Sequence, residues 1–168
     1  MPEFRLPDAT GEIVSSEKFS GKPLLVMFIC NHCPYVKHVA AALSEFAEQY
    51  LPAGLGIVAI NSNDYATHPD DSPEKMREEI AARGYRFPYL VDESQEVARA
   101  FGAACTPDFF LFDREGRLAY RGQFDSSRPG NEEPVDGSDL RAASDAVLRG
   151  EQPQLEQVPS VGCNIKWK

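Results

Sequence analysis

Cys30, Cys33, Cys105 and Cys163 are the four cysteines of this 168-residue chain, and the first two stand together as Cys30-Asn31-His32-Cys33. Thiols at that spacing can trade a dithiol for a disulfide, or they can supply half of a zinc site. The flanking sequence selects between the two. Leu24 to Ile29 is an unbroken apolar run of branched and aromatic residues, the pattern of a strand buried on both faces. From Pro34 the chain carries Val36, Val39, Ala40, Leu43, Phe46, Ala47 and Tyr50 at helical spacing, closed by Pro52 and Gly54. A strand therefore delivers the pair to a helix N-terminus, where unpaired amides and a partial positive charge stabilise a thiolate. Cys30, as the outer thiol, is expected to gain most and to titrate below the free value of about 8.5, with Cys33 buried and titrating high. A protonated His32 adds a second favourable charge. A stabilised thiolate favours the dithiol, which makes the pair a better oxidant.

Length fits one domain, 1–168, with a core that needs no staples and a C-terminal tail over 151–168. With 17 basic and 26 acidic residues the net charge is −9, which argues against nucleic acid or an anionic membrane as partner. No apolar run is long enough to span a bilayer. The start, Met1-Pro-Glu-Phe-Arg-Leu-Pro7, has no basic-then-apolar leader, so a cytoplasmic setting is expected. In a reducing cytosol, cysteines are catalytic, metal-binding or idle more often than structural.

The elements that must hold the pair follow in order. Asp8 to Gly11 marks a turn in a short leading hairpin or edge strand. Leu55 to Ile60 is a second buried strand, ending at Asn61-Ser-Asn-Asp64 and a polar loop. Asn61, Asn63, Asp64 and His68 in that loop either line a substrate surface or simply cap the strand and the helix. Ser72 and Pro73 start a helix that ends at Gly84, and Phe87 to Val91 is a third strand. Asp92 with Gln95 reads as a capping box for a short helix stopped by Gly102. Phe109 to Phe112 and Leu118 to Phe124 flank the turn Asp113-Arg-Glu-Gly116 as a hairpin, and Ser138 caps a last helix ended by Gly150. Strands alternating with helices give an α/β fold with a parallel core, to which the hairpin adds antiparallel strands. Such sheets gather their reactive groups beyond the carboxyl ends of the parallel strands, which places Cys30 and the loop from Asn61 on one edge.

These residues together resemble the thioredoxin superfamily, in particular its thioredoxin/peroxiredoxin-like (AhpC/TSA-type) branch. The resemblance runs through Gly21 to Phe28, Phe87 to Asp92, Gly102 to Asp113 and the helix at 138–149. It implies a thioredoxin-like fold: a central mixed β-sheet flanked by helices, with an N-terminal hairpin and a C-terminal extension. It also implies a cis peptide at Thr106-Pro107 packed on the cysteine pair, with Thr106 free to present its backbone to an extended substrate. Asn31, His32, Pro34, Thr106 and Pro107 would then line the site.

The departures are specific. Leu24 stands where thioredoxins carry an acid, and Val36 where some membrane-anchored relatives carry a glutamate, so no general base is identified. A histidine before the second cysteine is similar to strongly oxidising disulfide-forming enzymes. Met27 replaces the threonine that peroxiredoxins place three before a peroxidatic cysteine, taken as Cys30, and no arginine lies between Ala103 and Asp108. Arg99 and Arg121 are the candidates from elsewhere.

The first expectation is a thiol–disulfide oxidoreductase that needs no cofactor beyond its own disulfide and no metal. Cys30 would form the mixed disulfide and Cys33 would resolve it, with protein or small-molecule thiols and disulfides as partners. The alternative is a thiol-dependent peroxidase with Cys30 peroxidatic. A third reading is a zinc- or partner-binding module using Cys30, Cys33, His32 or His38, and Cys105 or Cys163. Cys105 is either an auxiliary thiol or loop filler. In the tail, Ile165 and Trp167 alternate with Lys166 and Lys168, which suits an extended segment with one buried face. Burying both, at roughly 25 cal/mol per Å², would hold the tail down. Cys163 is a third redox thiol if the tail docks at the active-site edge, and buried filler if it docks on the far side.

Overall fold

The computed structural model describes residues 1–168. The chain opens with the hairpin β1 (Arg5–Pro7) and β2 (Ile13–Ser15), closed by Asp8, whose carboxylate accepts from the Thr10 backbone and hydroxyl. Next come a 3-10 turn at Ser16–Phe19, β3 (Leu24–Phe28), α1 (Pro34–Tyr50) and β4 (Gly56–Asn61), then a second 3-10 turn at Pro69–Asp71. The helix α2 (Pro73–Arg83), the strand β5 (Tyr89–Val91) and the helix α3 (Glu96–Phe101) follow. The chain ends with β6 (Cys105–Thr106), β7 (Asp108–Phe112), β8 (Leu118–Gly122), α4 (Ser138–Leu148) and β9 (Cys163–Asn164). No helix is long and apolar enough to cross a membrane.

The sheet runs β5-β4-β3-β7-β8, with β5, β4 and β3 parallel and β7 and β8 antiparallel. It is the central mixed sheet flanked by helices that the resemblance implied. β3 lies in its middle, which explains its continuous apolar run. Leu25, Met27 and Ile29 face the larger core beneath α1, α2 and α4, while Leu24, Val26 and Phe28 face the smaller one with Phe4 and Phe101. Ile57 with Ala59 and Val58 with Ile60 divide in the same way, as do Phe109 with Leu111 and Phe110 with Phe112. The strand that carries Cys30 is thus fixed from both faces.

Most helix signals hold. The Ser72 hydroxyl accepts from the Lys75 amide at 3.3 Å, Pro73 opens α2, and Gly84 ends it in the left-handed region at φ 69°. Two caps differ. Gly137, not Ser138, is the N-cap of α4, because the Asp125 carboxylate takes the Asp136 and Gly137 amides and so fixes the entry turn. The Asp92/Gln95 capping box does not form. Gln95 sits at φ 67° with no side-chain cap, and Asp92 instead accepts the Val97 and Ala98 amides.

The buried Gln95 amide is spent on the tail. Its Nε2 donates to the Ser62 and Lys166 carbonyls at 2.8 and 2.9 Å, and its Oε1 accepts the Lys168 amide at 3.1 Å. The tail is therefore docked. Ile165 is buried as expected, but Trp167 is 42% exposed, its ring facing solvent and the Arg99 guanidinium at 5.1 Å. The Thr106 backbone is not free either: β9 pairs with β6, with Thr106 opposite Cys163.

Candidate active site

β3 ends and α1 begins around the cysteine pair, and the geometry ranks the two thiols. Cys33 is the N-cap of α1 with Pro34 at the first helical position, so the open end of the helix falls on the second cysteine. Both sulfurs meet Thr106, which precedes a cis bond to Pro107 as the resemblance implied. The Cys30 sulfur lies 3.4 Å from the Thr106 hydroxyl, and the Cys33 sulfur lies 3.4 Å from the Thr106 carbonyl. Each cysteine is 4% exposed.

The electrostatics couple the two thiols. Hydrogen bonding between them leaves one shared proton when the pair first ionises, burial raises both groups, and the Asp71 carboxylate adds like charge near Cys30. The hydrogen bonds to Thr106 distinguish the two sulfurs: the Cys33 thiol donates to the Thr106 carbonyl, and the Thr106 hydroxyl is placed to donate to Cys30. A negative charge on Cys30 fits that pattern.

Asp71 was invisible in the sequence as a site residue, one acid among several in a polar loop. It is 3% exposed and organises the pair. Its Oδ1 accepts the Asn31 amide at 2.8 Å and the Asn61 side chain at 3.1 Å, and its Oδ2 accepts the Asn63 side chain at 3.0 Å. The Tyr89 hydroxyl donates to the Asn31 side-chain oxygen at 2.8 Å, and the Asn31 amide group donates to the Asp70 carbonyl. Asn63 in turn accepts the Lys166 amide at 2.9 Å. One hydrogen-bonded chain so joins the loop between the cysteines to the tail. Asn61 lies inside that network and the Asp64 carboxylate accepts from the Ala66 amide and the Thr67 hydroxyl, whereas Asn63 and His68 border the pocket.

That pocket, about 350 Å³, opens over Cys30 and Cys33 and is bordered by His32, His68, Cys163 and Lys166. Pro34 lines it too, while Pro107 sits on the other side beside Phe109 and Tyr35. His32 points outward, 3.7 Å from Asp70, and so faces a carboxylate rather than the sulfurs. Cys105 turns away from the face of Thr106; its sulfur rests 3.8 Å from the Pro107 carbonyl, and burial pushes its thiol up to about 11. Arg121 binds Asp108 at 3.2 Å and lies over the Phe110 ring, and Arg99 covers Trp167. No three His, Cys, Asp or Glu side chains converge as a metal site, so the zinc reading finds no ligand set.

The AhpC/TSA family model matches residues 1–121. Among curated proteins, chloroplastic peroxiredoxin Q of Suaeda salsa is 30% identical over 135 residues, which is 73% of this chain and 58% of that protein. The chain thus spans somewhat over half the length of that relative. The thiol-disulfide oxidoreductase YkuV of Bacillus subtilis (strain 168) is 27% identical over 71% of this chain and 80% of its own. Among solved structures, a hypothetical protein of Sinorhizobium meliloti 1021 superposes with a TM-score of 0.98 at 55% identity, covering 99% of this chain and 92% of the other. The fold is thioredoxin-like.

Proposed function

Because this chain belongs to the AhpC/TSA family, we propose that it is a thiol–disulfide oxidoreductase working through Cys30 and Cys33. The observation that carries this reading is two thiols at the start of α1, both on Thr106 and both opening into one pocket. The Cys30 thiolate attacks one sulfur of a substrate disulfide; a Cys30–substrate bond forms as the substrate bond breaks, and one substrate thiolate leaves. The Cys33 sulfur then attacks Cys30, the mixed disulfide breaks, and the second substrate sulfur departs with the Cys33 proton. Two electrons pass to the substrate and the pair is left as a disulfide. The reverse sequence oxidises a dithiol. Substrates are thiols and disulfides that reach the pocket, in line with the chain's similarity to the thiol-disulfide oxidoreductase YkuV. Peroxide chemistry draws less support, since Arg99 and Arg121 are engaged away from the sulfurs and no guanidinium is placed to polarise a peroxide.

The test is oxidation of the reduced protein by a disulfide such as oxidised glutathione, with peptide mapping. Loss of two thiols as a Cys30–Cys33 bond is expected, with a glutathione adduct trapped on Cys30 in Cys33→Ser. Absence of that Cys30 adduct in folded Cys33→Ser, or hydrogen peroxide turnover without disulfide exchange, would replace this reading.

A further inference from the structure

The tail occupies the strand edge at which an extended substrate would dock. β9 pairs antiparallel with β6, Thr106 against Cys163, and the Ile165 amide donates to the Ala104 carbonyl at 3.1 Å. The approach is close enough to require glycine: a Cβ on Gly162 would stand 1.9 Å from the Thr106 carbonyl oxygen, the atom the Cys33 sulfur touches. Beyond it the tail is held on both sides, by Asn63 at the Lys166 amide and by Gln95 at the Lys166 carbonyl. The next residue after Gly162 is a cysteine. Its sulfur opens into the same pocket as Cys30 and Cys33 and packs against the core cluster that contains them. Cys163 therefore stands where the cysteine of a docked peptide would stand. We infer that Cys163 is the third thiol of the redox site, exchanging with the Cys30–Cys33 disulfide to form a Cys33–Cys163 bond.

This inference rests on the thiol–disulfide reading above. The step balances without a further reactant. The Cys163 sulfur attacks Cys33, the Cys33–Cys163 bond forms, the Cys30–Cys33 bond breaks, and the Cys163 proton ends on the Cys30 sulfur. One disulfide replaces another with no net oxidation. Its use lies in access: Cys30 and Cys33 are each 4% exposed, whereas Cys163 is only partly buried. The exchange carries the bond from two buried sulfurs to one that an outside thiol can reach. Burial, followed by contact with Cys33, holds the Cys163 thiol up, so it stays protonated in the reduced protein until the disulfide forms beside it.

The test uses the full chain in a Cys105→Ser background, with dithiodipyridine as the disulfide probe. Cys30→Ser in that background should release two equivalents of pyridine thione and retain no probe, with Cys33–Cys163 mapped as the product. Adding Cys163→Ser should release one equivalent and leave the probe on Cys33. Stable retention of the probe on Cys33 in the variant that keeps Cys163 would overturn the third thiol while leaving the parent reading intact. Failure of a folded Cys163→Ser protein in the same background to form a Cys30–Cys33 bond with the probe would instead remove the parent reading, and this one with it. In the wild type, Cys163 should alkylate more slowly after oxidation than before. Equal rates would overturn the exchange without recourse to any variant.

Discussion

At the scale of single residues, the site turns on which sulfur carries the charge. The Thr106 hydroxyl is placed to donate to Cys30 while the Cys33 thiol donates to the Thr106 carbonyl, so alkylation at mildly acidic pH should label Cys30 first and Cys33 slowly. Mass mapping after brief labelling checks this, and preferential Cys33 labelling would give the opposite order. The sign for stability follows from proton binding. Because the pair's first proton is lost more readily in the fold than from an ordinary thiol, the unfolded chain binds more protons, so this contribution is fully present near the ordinary value of 9.0 and fades as pH falls through the depressed folded value. Across that window the stability of the reduced protein should rise with pH more steeply than that of Cys30→Ser/Cys33→Ser, as urea unfolding at several pH values would show. Asp71 is the second residue-scale test. Asp71→Asn puts an amide where three donors converge, and it should cost about 1–3 kcal/mol in urea unfolding at neutral pH. It also removes like charge near Cys30, which should then alkylate faster than in the wild type.

At the scale of elements, the tail strand is held by buried amides more than by its aromatic ring. Gln95→Ala leaves the Ser62 and Lys166 carbonyls and the Lys168 amide without their partner, and it should cost about 2–3 kcal/mol and speed hydrogen exchange at Ile165 and Lys166. Trp167→Ala removes an exposed ring whose contact is the Arg99 guanidinium, worth about 0.5–1 kcal/mol, so its melting shift should be small by comparison. A larger effect at Trp167 than at Gln95 would contradict this ranking. The same elements show how far local pattern reaches. The strand, the cysteine pair and the helix from Pro34 to Tyr50 were readable because periodicity, Pro34 and the Ser72-Pro73 start are local signals. Gln95 was misread because its partners in the structure, Ser62 and the tail, are distant in the chain, and nothing near it in sequence shows them.

At the scale of the whole molecule, the tail bridges the two sides of the active-site edge. Cutting after Gln157 removes β9, the buried Ile165 and the Lys166 bonds to Asn63 and Gln95. It also removes the Val158 carbonyl that accepts from Gln123. The loss should be on the order of 3–5 kcal/mol, read as a lower melting temperature. The same cut uncovers the Thr106 edge. Exchange with an extended disulfide-bearing peptide should therefore gain relative to exchange with a small disulfide, measured as the ratio of the two rates in full-length and cut protein. An unchanged ratio, with the cut protein folded, would show that the tail does not govern access.

By itself the sequence determined what is written in short-range pattern: apolar runs that become strands buried on two faces, a helix opened by proline, and a cysteine pair set between them. Through the resemblance it also placed the cis bond at Thr106-Pro107 and the mixed sheet. It did not determine the surroundings of the pair, on which a thiol's charge depends. The neighbour of Cys33 in the pocket comes from residue 163, and the charge near Cys30 comes from Asp71 in the Pro69–Asp71 turn. Nor did it decide between the two positions left open for Cys163. Only the pairing of β9 with β6 does that, since a two-residue strand carries too little pattern to name its partner until the folded edge is there to receive it.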